Sequence, residues 1–106
     1  MSVRHVVMLR RRADVTADEA TERDLASRLD ALGDQIPGLG GWLLAENEHD
    51  RPLCWDYLLD AELADAEALA AYLGHPLHQA LLPELRAYFE LAVVDYDASQ
   101  SGGRSR

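Results

Sequence analysis

With 106 residues and 48% hydrophobic content, the chain has the length and apolar mass of one globular domain, which excludes disorder. Its 19 acidic residues stand against 10 basic ones, a formal net charge of −9. A field of that sign repels phosphate backbones and anionic headgroups, so neither nucleic acid nor a membrane surface is expected as a partner.

The basic residues are all arginine. Without lysine there is no side-chain amine for a Schiff base, so any aldol-type reaction must run by acid–base catalysis. Cys54 is the single cysteine, which excludes an internal disulfide and reads as a small apolar strand residue. The start, Met1-Ser2-Val3-Arg4-His5, lacks the apolar run of a signal peptide. No stretch approaches the roughly 18 apolar residues of a membrane span. The cytoplasm is therefore the expected compartment.

Residues 3–9 predict a short β-strand with Val3, His5, Val7 and Leu9 on one face and Arg4, Val6, Met8 and Arg10 on the other. Thr16 and Glu19 have the spacing of a capping box. Leu25, Leu29, Leu32 and Ile36 follow at steps of four, three and four, one apolar helical stripe that ends at Pro37-Gly38. Gly40-Gly41 opens a second strand at Trp42 to Ala45, and a polar segment ending in Pro52 reads as a loop. From Leu53 to Leu63 the alternation predicts a third strand, with Leu53, Trp55, Tyr57, Leu59, Ala61 and Leu63 on one face.

Asp65 caps a second helix that ends at Gly74. His75-Pro76 breaks it, because the residue before a proline avoids helical backbone. Pro76 starts a short helix carrying His78, and Pro83 a further turn through Tyr88. Residues 91–96 predict the last strand, and 98–106, rich in serine and glycine, a flexible tail after a domain of residues 1–97.

The order β-α-β-β-α-β is the ferredoxin-like split arrangement, an α+β fold with a four-stranded antiparallel sheet. Both helices would cover one sheet face, leaving Val6, Met8 and Leu58 on the other, with Ala92 and Val94 or Leu91 and Val93 from the last strand. Such an apolar patch on a small chain marks an interface, so a homodimer packed sheet against sheet is expected. Arg4 and Arg10 would pair with Asp56 and Asp60 around it, at only ~0–1 kcal/mol each.

Four segments carry a family resemblance: Val3-Arg4-His5-Val6-Val7, Ile36-Pro37-Gly38, His75-Pro76-Leu77-His78 with the flanking Tyr72, and Val93-Val94-Asp95-Tyr96. Together they make the chain similar, over about residues 3–97, to the stress-responsive dimeric α/β-barrel (Dabb) proteins. The resemblance implies ferredoxin-like subunits whose two sheets form a barrel, with a pocket between sheet and helices in each. It implies further that Tyr72 and His78 match the catalytic pair of the family's olivetolic-acid-type polyketide cyclases, which need no metal or cofactor. His5, His75 and Asp95 match other pocket positions of those cyclases. Tyr57 stands where they carry a histidine, and Leu29 where a tyrosine guards the alkyl pocket, so a reshaped pocket is implied.

Aldol ring closure needs a base for a proton beside a carbonyl and a donor for the oxyanion that forms. His78 is the candidate base and Tyr72 the hydroxyl that holds it or the substrate oxygen. His5 could donate to a carbonyl, and Asp95 could fix an imidazole tautomer. Tyr57, Leu29, His75 and Trp55 are the candidate substrate-binding residues for a hydrophobic small molecule.

Plainer readings stand beside these. His5 fits a hydrogen-bonded core histidine, His78 a solvent-facing residue, and Tyr72 packing with its hydroxyl at the surface. His75 fits a hinge or cap, and Asp95 a partner for an arginine such as Arg4. Histidines three apart with a carboxylate are metal-ligand types, but Pro76 interrupts the turn between them, and no metal or cofactor is expected. Two functions follow: a cofactor-independent acid–base enzyme, or a non-catalytic dimeric binding or stress protein with the same pocket.

Overall fold

A computed structural model describes residues 2–100. Strands β1 (Val3–Arg11), β2 (Leu39–Glu46), β3 (Tyr57–Leu63) and β4 (Phe89–Asp97) form one antiparallel sheet in the order β2-β3-β1-β4. Helices α1 (Glu19–Gln35), α2 (Ala66–Leu73) and α3 (Pro76–Tyr88) complete the ferredoxin-like α+β fold. Of the tail expected over 98–106, Ala98–Gln100 form one 3₁₀ turn, tied down by a 3.0 Å bond from the Ala98 amide to the Ser2 carbonyl. Residues 101–106 lie outside the described residues.

The apolar stripe of α1 behaves as its spacing predicts: Leu25, Leu29, Leu32 and Ile36 are all buried against Val7, Leu9, Leu59 and Leu63 of the sheet. Its cap differs from the expected Thr16/Glu19 box. Asp18 is the N-cap, its carboxylate accepting from the Ala20 amide at 3.1 Å and from the Thr21 hydroxyl at 2.7 Å. A carboxylate at that position also meets the positive end of the helix dipole, which Thr16 could not do.

The third strand is shorter than its alternation predicts. Leu53 is 85% exposed, and the Cys54 amide closes a turn onto the Arg51 carbonyl at 2.9 Å. Trp55 continues the apolar pattern because it lies under the Arg10 guanidinium, 4.4 Å from the ring centroid, and not because it belongs to the ladder. Pro83 does not start a separate turn; α3 runs through it. Leu81, Leu85 and Tyr88 are buried on either side of the proline, and that packing outweighs the roughly 3 kcal/mol a mid-helix proline costs.

The ladder sorts residues cleanly. On β1, His5, Val7 and Leu9 face the helices and pair in register with Asp95, Val93 and Leu91. The opposite face carries Val6, Met8, Leu43, Leu58, Ala92, Val94 and Tyr96, apolar and largely open, with Val94 62% exposed. The register thus selects Ala92 and Val94, not Leu91 and Val93, for the outer patch. Arg4 pairs there with Asp60 at 3.2 Å as expected. Arg10 instead binds Glu90, also at 3.2 Å, while Asp56 accepts from the Arg11 amide at 2.7 Å.

Gly33 of α1 exists for packing: a Cβ there would sit 2.5 Å from Cγ of Trp42. Helix propensity alone would make Gly33→Ala stabilising by about 1 kcal/mol, but forcing a rigid indole aside typically costs ~1–3 kcal/mol. Gly33→Ala is expected to lower the unfolding free energy by about 1 kcal/mol in urea titration, and a gain in stability would refute the contact.

Candidate functional site

A cavity of about 510 Å³ lies between the sheet and helices α2 and α3, opening beside the edge strand β4. Its body is apolar, with Leu29, Leu32, Leu81 and Leu85 among its walls. His5, Tyr72, His78 and Asp95 all line it. The four expected proton-transfer residues, scattered over 90 positions of sequence, therefore meet at one cavity.

His5 is the buried polar residue of the core, 4% exposed on the central strand. Its register partner Asp95 accepts from Nδ1 at 2.5 Å, which fixes the tautomer and ring orientation and leaves Nε2 as the second nitrogen. Asp95 thus serves His5 and not Arg4, which is held by Asp60 and Glu62.

Tyr72 lies at the C-terminal end of α2 and is 2% exposed. Its ring stands edge-on to His5 at 5.6 Å and tilted against His78 at 4.7 Å between centroids. Among the described residues its hydroxyl has no hydrogen-bond partner, and burial alone pushes its pKa up to about 12. It remains a proton donor throughout the neutral range.

His78 sits in the first turn of α3. Its Nδ1 lies 3.0 Å from the Leu73 carbonyl, which can only accept, so Nδ1 carries the hydrogen and Nε2 keeps its lone pair. Burial, opposed by that bond and assisted by the nearby His5 and His75, holds the imidazole below its ordinary value of 6.5. The positive end of α3 disfavours the cation further. His78 is therefore a neutral imidazole with a free basic nitrogen at physiological pH.

His75 does not line the cavity. It is the N-cap of α3, its Nδ1 accepting from the Leu77 amide at 3.1 Å. Trp55 lies in the loop under Arg10, also away from the cavity. Leu29 does line it, as expected. Tyr57 faces a separate polar recess that Arg11 also lines, where its hydroxyl donates to Glu22 at 2.8 Å. Glu22 also receives Arg11 through both oxygens, at 2.6 and 2.9 Å, and that ion pair holds its carboxyl below the usual range.

Four cavity residues escaped the sequence reading, Arg12, Arg86, Phe89 and Glu90. Arg86 was detectable in principle, since His78, Leu82 and Arg86 recur at steps of four and share a side of α3. Arg12 carried no such signal; it is the last of three consecutive arginines, and only the end of β1 singles it out. Among the described residues, no cluster of three or more His, Cys, Asp or Glu could hold a metal ion. No helix is long and apolar enough to cross a membrane.

A ferredoxin-like subunit with an open apolar sheet face and a polar-tipped cavity under its helices defines a dimeric α/β-barrel type of protein. The sequence matches the Stress responsive A/B Barrel Domain family over residues 3–98, and the chain belongs to that family. It is 35% identical over 95 residues to an uncharacterised protein of Streptomyces coelicolor, covering 90% of this chain and 98% of that one. A dimeric ferredoxin-like protein of unknown function from Thermobifida fusca superposes with a TM-score of 0.78 at 23% identity, over 91% of this chain and 90% of that one. Hydroxynitrile lyase from Passiflora edulis gives 0.75 at 15% identity, over 90% and 91%. SnoaB, a cofactor-independent oxygenase from Streptomyces nogalater, gives 0.72 at 22%, over 95% and 96%. At these identities the structural likeness establishes the fold alone, and the fold is one that carries enzymes as well as proteins of unknown function.

The histidine geometry has a direct spectroscopic consequence. Nitrogen-15 NMR of His78 is expected to show the Nδ1–H tautomer and protonation below pH 6.5. Because the unfolded chain takes up that proton first, its contribution to stability is lost as pH falls from about 6.5 toward the folded value. Protonation at or above 6.5, or an Nε2–H tautomer, would contradict the site as described.

Proposed function

We propose that this protein is a cofactor-independent acid–base enzyme acting on a hydrophobic carbonyl substrate, an aldol-type cyclase of polyketide-like chains or a related lyase or isomerase. One observation carries the reading. A free basic nitrogen on His78 and an unpartnered phenol on Tyr72 stand together, ring centroids 4.7 Å apart, in a cavity with a largely apolar body.

In the proposed reaction His78 Nε2 removes a proton from the carbon beside a carbonyl. The Tyr72 hydroxyl donates to the enolate oxygen. The enolate carbon then attacks a distant carbonyl carbon of the same chain, and His78 returns its proton to the alkoxide. His5, its Nδ1–H held by Asp95, presents Nε2 as a second acceptor, which suits a hydroxyl of the substrate and not a carbonyl oxygen as the sequence suggested. The apolar side chains around the pair lower the local dielectric, which strengthens these contacts. That a hydroxynitrile lyase and a cofactor-independent oxygenase share the fold supports catalysis on this scaffold, in one case without a cofactor.

The same cavity supports a second reading, a dimeric protein that binds a hydrophobic small molecule without turning it over. The observation behind it is the burial of Tyr72 among His5, His78 and Trp42, an arrangement that also serves packing. In either reading the working unit is a homodimer joined through the apolar sheet face.

Two measurements test these proposals. Wild-type protein is expected to exchange the α-protons of a β-keto N-acetylcysteamine thioester for deuterium faster than buffer and to yield ring products from longer poly-β-keto thioesters. His78→Ala should lose ~10²–10⁴-fold of the exchange rate. The rate should rise through a pKa below 6.5 and stay level across neutrality. Exchange no faster than buffer, or unchanged by His78→Ala, sinks the catalytic reading and leaves the binding one. For the dimer, Val94→Asp places a carboxylate in the open patch and is expected to give a monomer in light scattering; a variant still dimeric would place the interface elsewhere.

A further inference from the structure

Two carboxylates line the cavity, Asp95 and Glu90, and both have partners: Asp95 accepts from His5, and Glu90 takes Arg10 at 3.2 Å through each oxygen. Two guanidinium groups also line it, one paired through a single nitrogen and the other unpaired among the described residues. Arg12 has one contact, Nε to Asp14 at 3.2 Å, which leaves its terminal nitrogens free to donate. Arg86, exposed in the last turn of α3, has no ion-pair partner among the described residues. Arg86 is thus the cavity guanidinium without an ion-pair partner among the described residues, and Arg12 the one with free terminal nitrogens, in a chain whose net charge is −9.

Placement separates these arginines from the proton-transfer groups. His78 opens α3 and Arg86 closes it, eight residues along, on the order of 12 Å at the helical rise. His5 lies near the start of β1, whereas Arg12 follows its end, and the Arg12 amide bonds the Tyr88 carbonyl at 2.9 Å beside the end of α3. Both arginines thus belong to one end of an elongated cavity, and His5, Tyr72, His78 and Asp95 to the other. A favourable helix dipole explains an arginine in the last turn; it does not explain why that arginine lies on the cavity side, opposite a second one.

We infer that Arg12 and Arg86 form an anion-binding subsite, and that the ligand of this cavity is an amphipathic acid whose carboxylate or phosphate rests there while its apolar, carbonyl-bearing body reaches toward His78 and Tyr72. The inference rests on the cavity being a ligand site, as proposed above, and names the chemical class of that ligand. A guanidinium pair recognises a planar or tetrahedral anion through charge-assisted bonds. Held at that end, the ligand is fixed lengthwise, and the position of its reacting carbon follows from chain length.

The test compares three probes of one length by calorimetric titration: 8-phenyloctanoate, 8-phenyloctanamide and 8-phenyloctyl phosphate. The wild type is expected to bind an anionic probe at least about tenfold more tightly than the amide, the scale of one charge-assisted contact. Arg86→Gln and Arg12→Gln should each erase most of that preference while amide affinity stays constant, which also reports that the variants fold. Arg51→Gln, the same charge change in a loop away from the cavity, should leave it intact. Tighter binding of the phosphate than of the carboxylate supports the subsite and assigns the anion to a phosphate-bearing group. An anion preference that persists in His78→Ala supports the subsite even if the catalytic reading fails. Equal binding of acid, phosphate and amide, or a preference untouched by both arginine variants, overturns it. Binding of no probe removes the ligand cavity itself, and the subsite with it.

Discussion

Pro76 has no amide hydrogen and denies His75 a helical backbone, so α2 and α3 cannot run on as one helix. In a continuous helix the Leu73 carbonyl would accept from the Leu77 amide. Here that amide is taken by the Nδ1 of His75, 3.1 Å away, and the Leu73 carbonyl is left without its helical partner. His78 Nδ1 and the Gln79 side chain fill the vacancy at 3.0 and 2.6 Å. One backbone break therefore does three things. It caps α3 with an imidazole, turns a second imidazole so that its basic nitrogen is free, and places that imidazole at a helix N-terminus where the cation is disfavoured.

The opposite wall depends on strand register. His5 and Asp95 are directly paired on β1 and β4, as are Val6 and Val94. A slip of one residue would send every β4 side chain to the other face. Asp95 would leave His5 without its partner, and the outer patch would exchange Ala92, Val94 and Tyr96 for Leu91, Val93 and a carboxylate, Asp95. The buried imidazole–carboxylate contact and the open apolar surface are thus fixed by the same ladder. Selection for one maintains the other, which links the cavity on one side of the sheet to the proposed twofold contact on the other.

Much of this was legible in the residues because periodicity reports on burial. The steps of four and three in α1 and the alternation Tyr57, Leu59, Ala61, Leu63 needed only the core to be apolar, and they hold. Where pattern arose for another reason the reading failed: Trp55 continued the alternation while serving as a platform for Arg10, and Pro83 looked like a breaker although buried leucines on both sides hold the helix through it. Thr16 and Glu19 had cap spacing, yet spacing does not reveal that Asp18 also meets Tyr88, whose hydroxyl receives the Asp18 amide at 3.1 Å. For the site, the resemblance pointed to His5, Tyr72, His78 and Asp95, and all four reach the cavity. Tyr57 and His75 were indistinguishable from them by residue type. Only tertiary contacts tell a tyrosine that satisfies Glu22, or a histidine that caps a helix, from one with free hydrogen-bonding capacity.

Tyr72 and His78 share free capacity with two neighbours, His5 Nε2 and the buried Trp42 Nε1. Buried polar groups in a stable fold normally find partners, because an unmet one costs about 1–3 kcal/mol. Asp95, Glu22, Tyr57 and Tyr88 all have partners, as does Nδ1 of His5. Tyr72 holds a donor and His78 Nε2 an acceptor that the protein leaves unmatched, side by side in a cavity with apolar walls. A purely apolar ligand would leave both unmatched. A carbonyl with an acidic hydrogen on the next carbon offers an acceptor to the phenol and a proton to the imidazole. An enolisable carbonyl would match both atoms, which is the ground on which the enzyme reading is proposed ahead of the binding one.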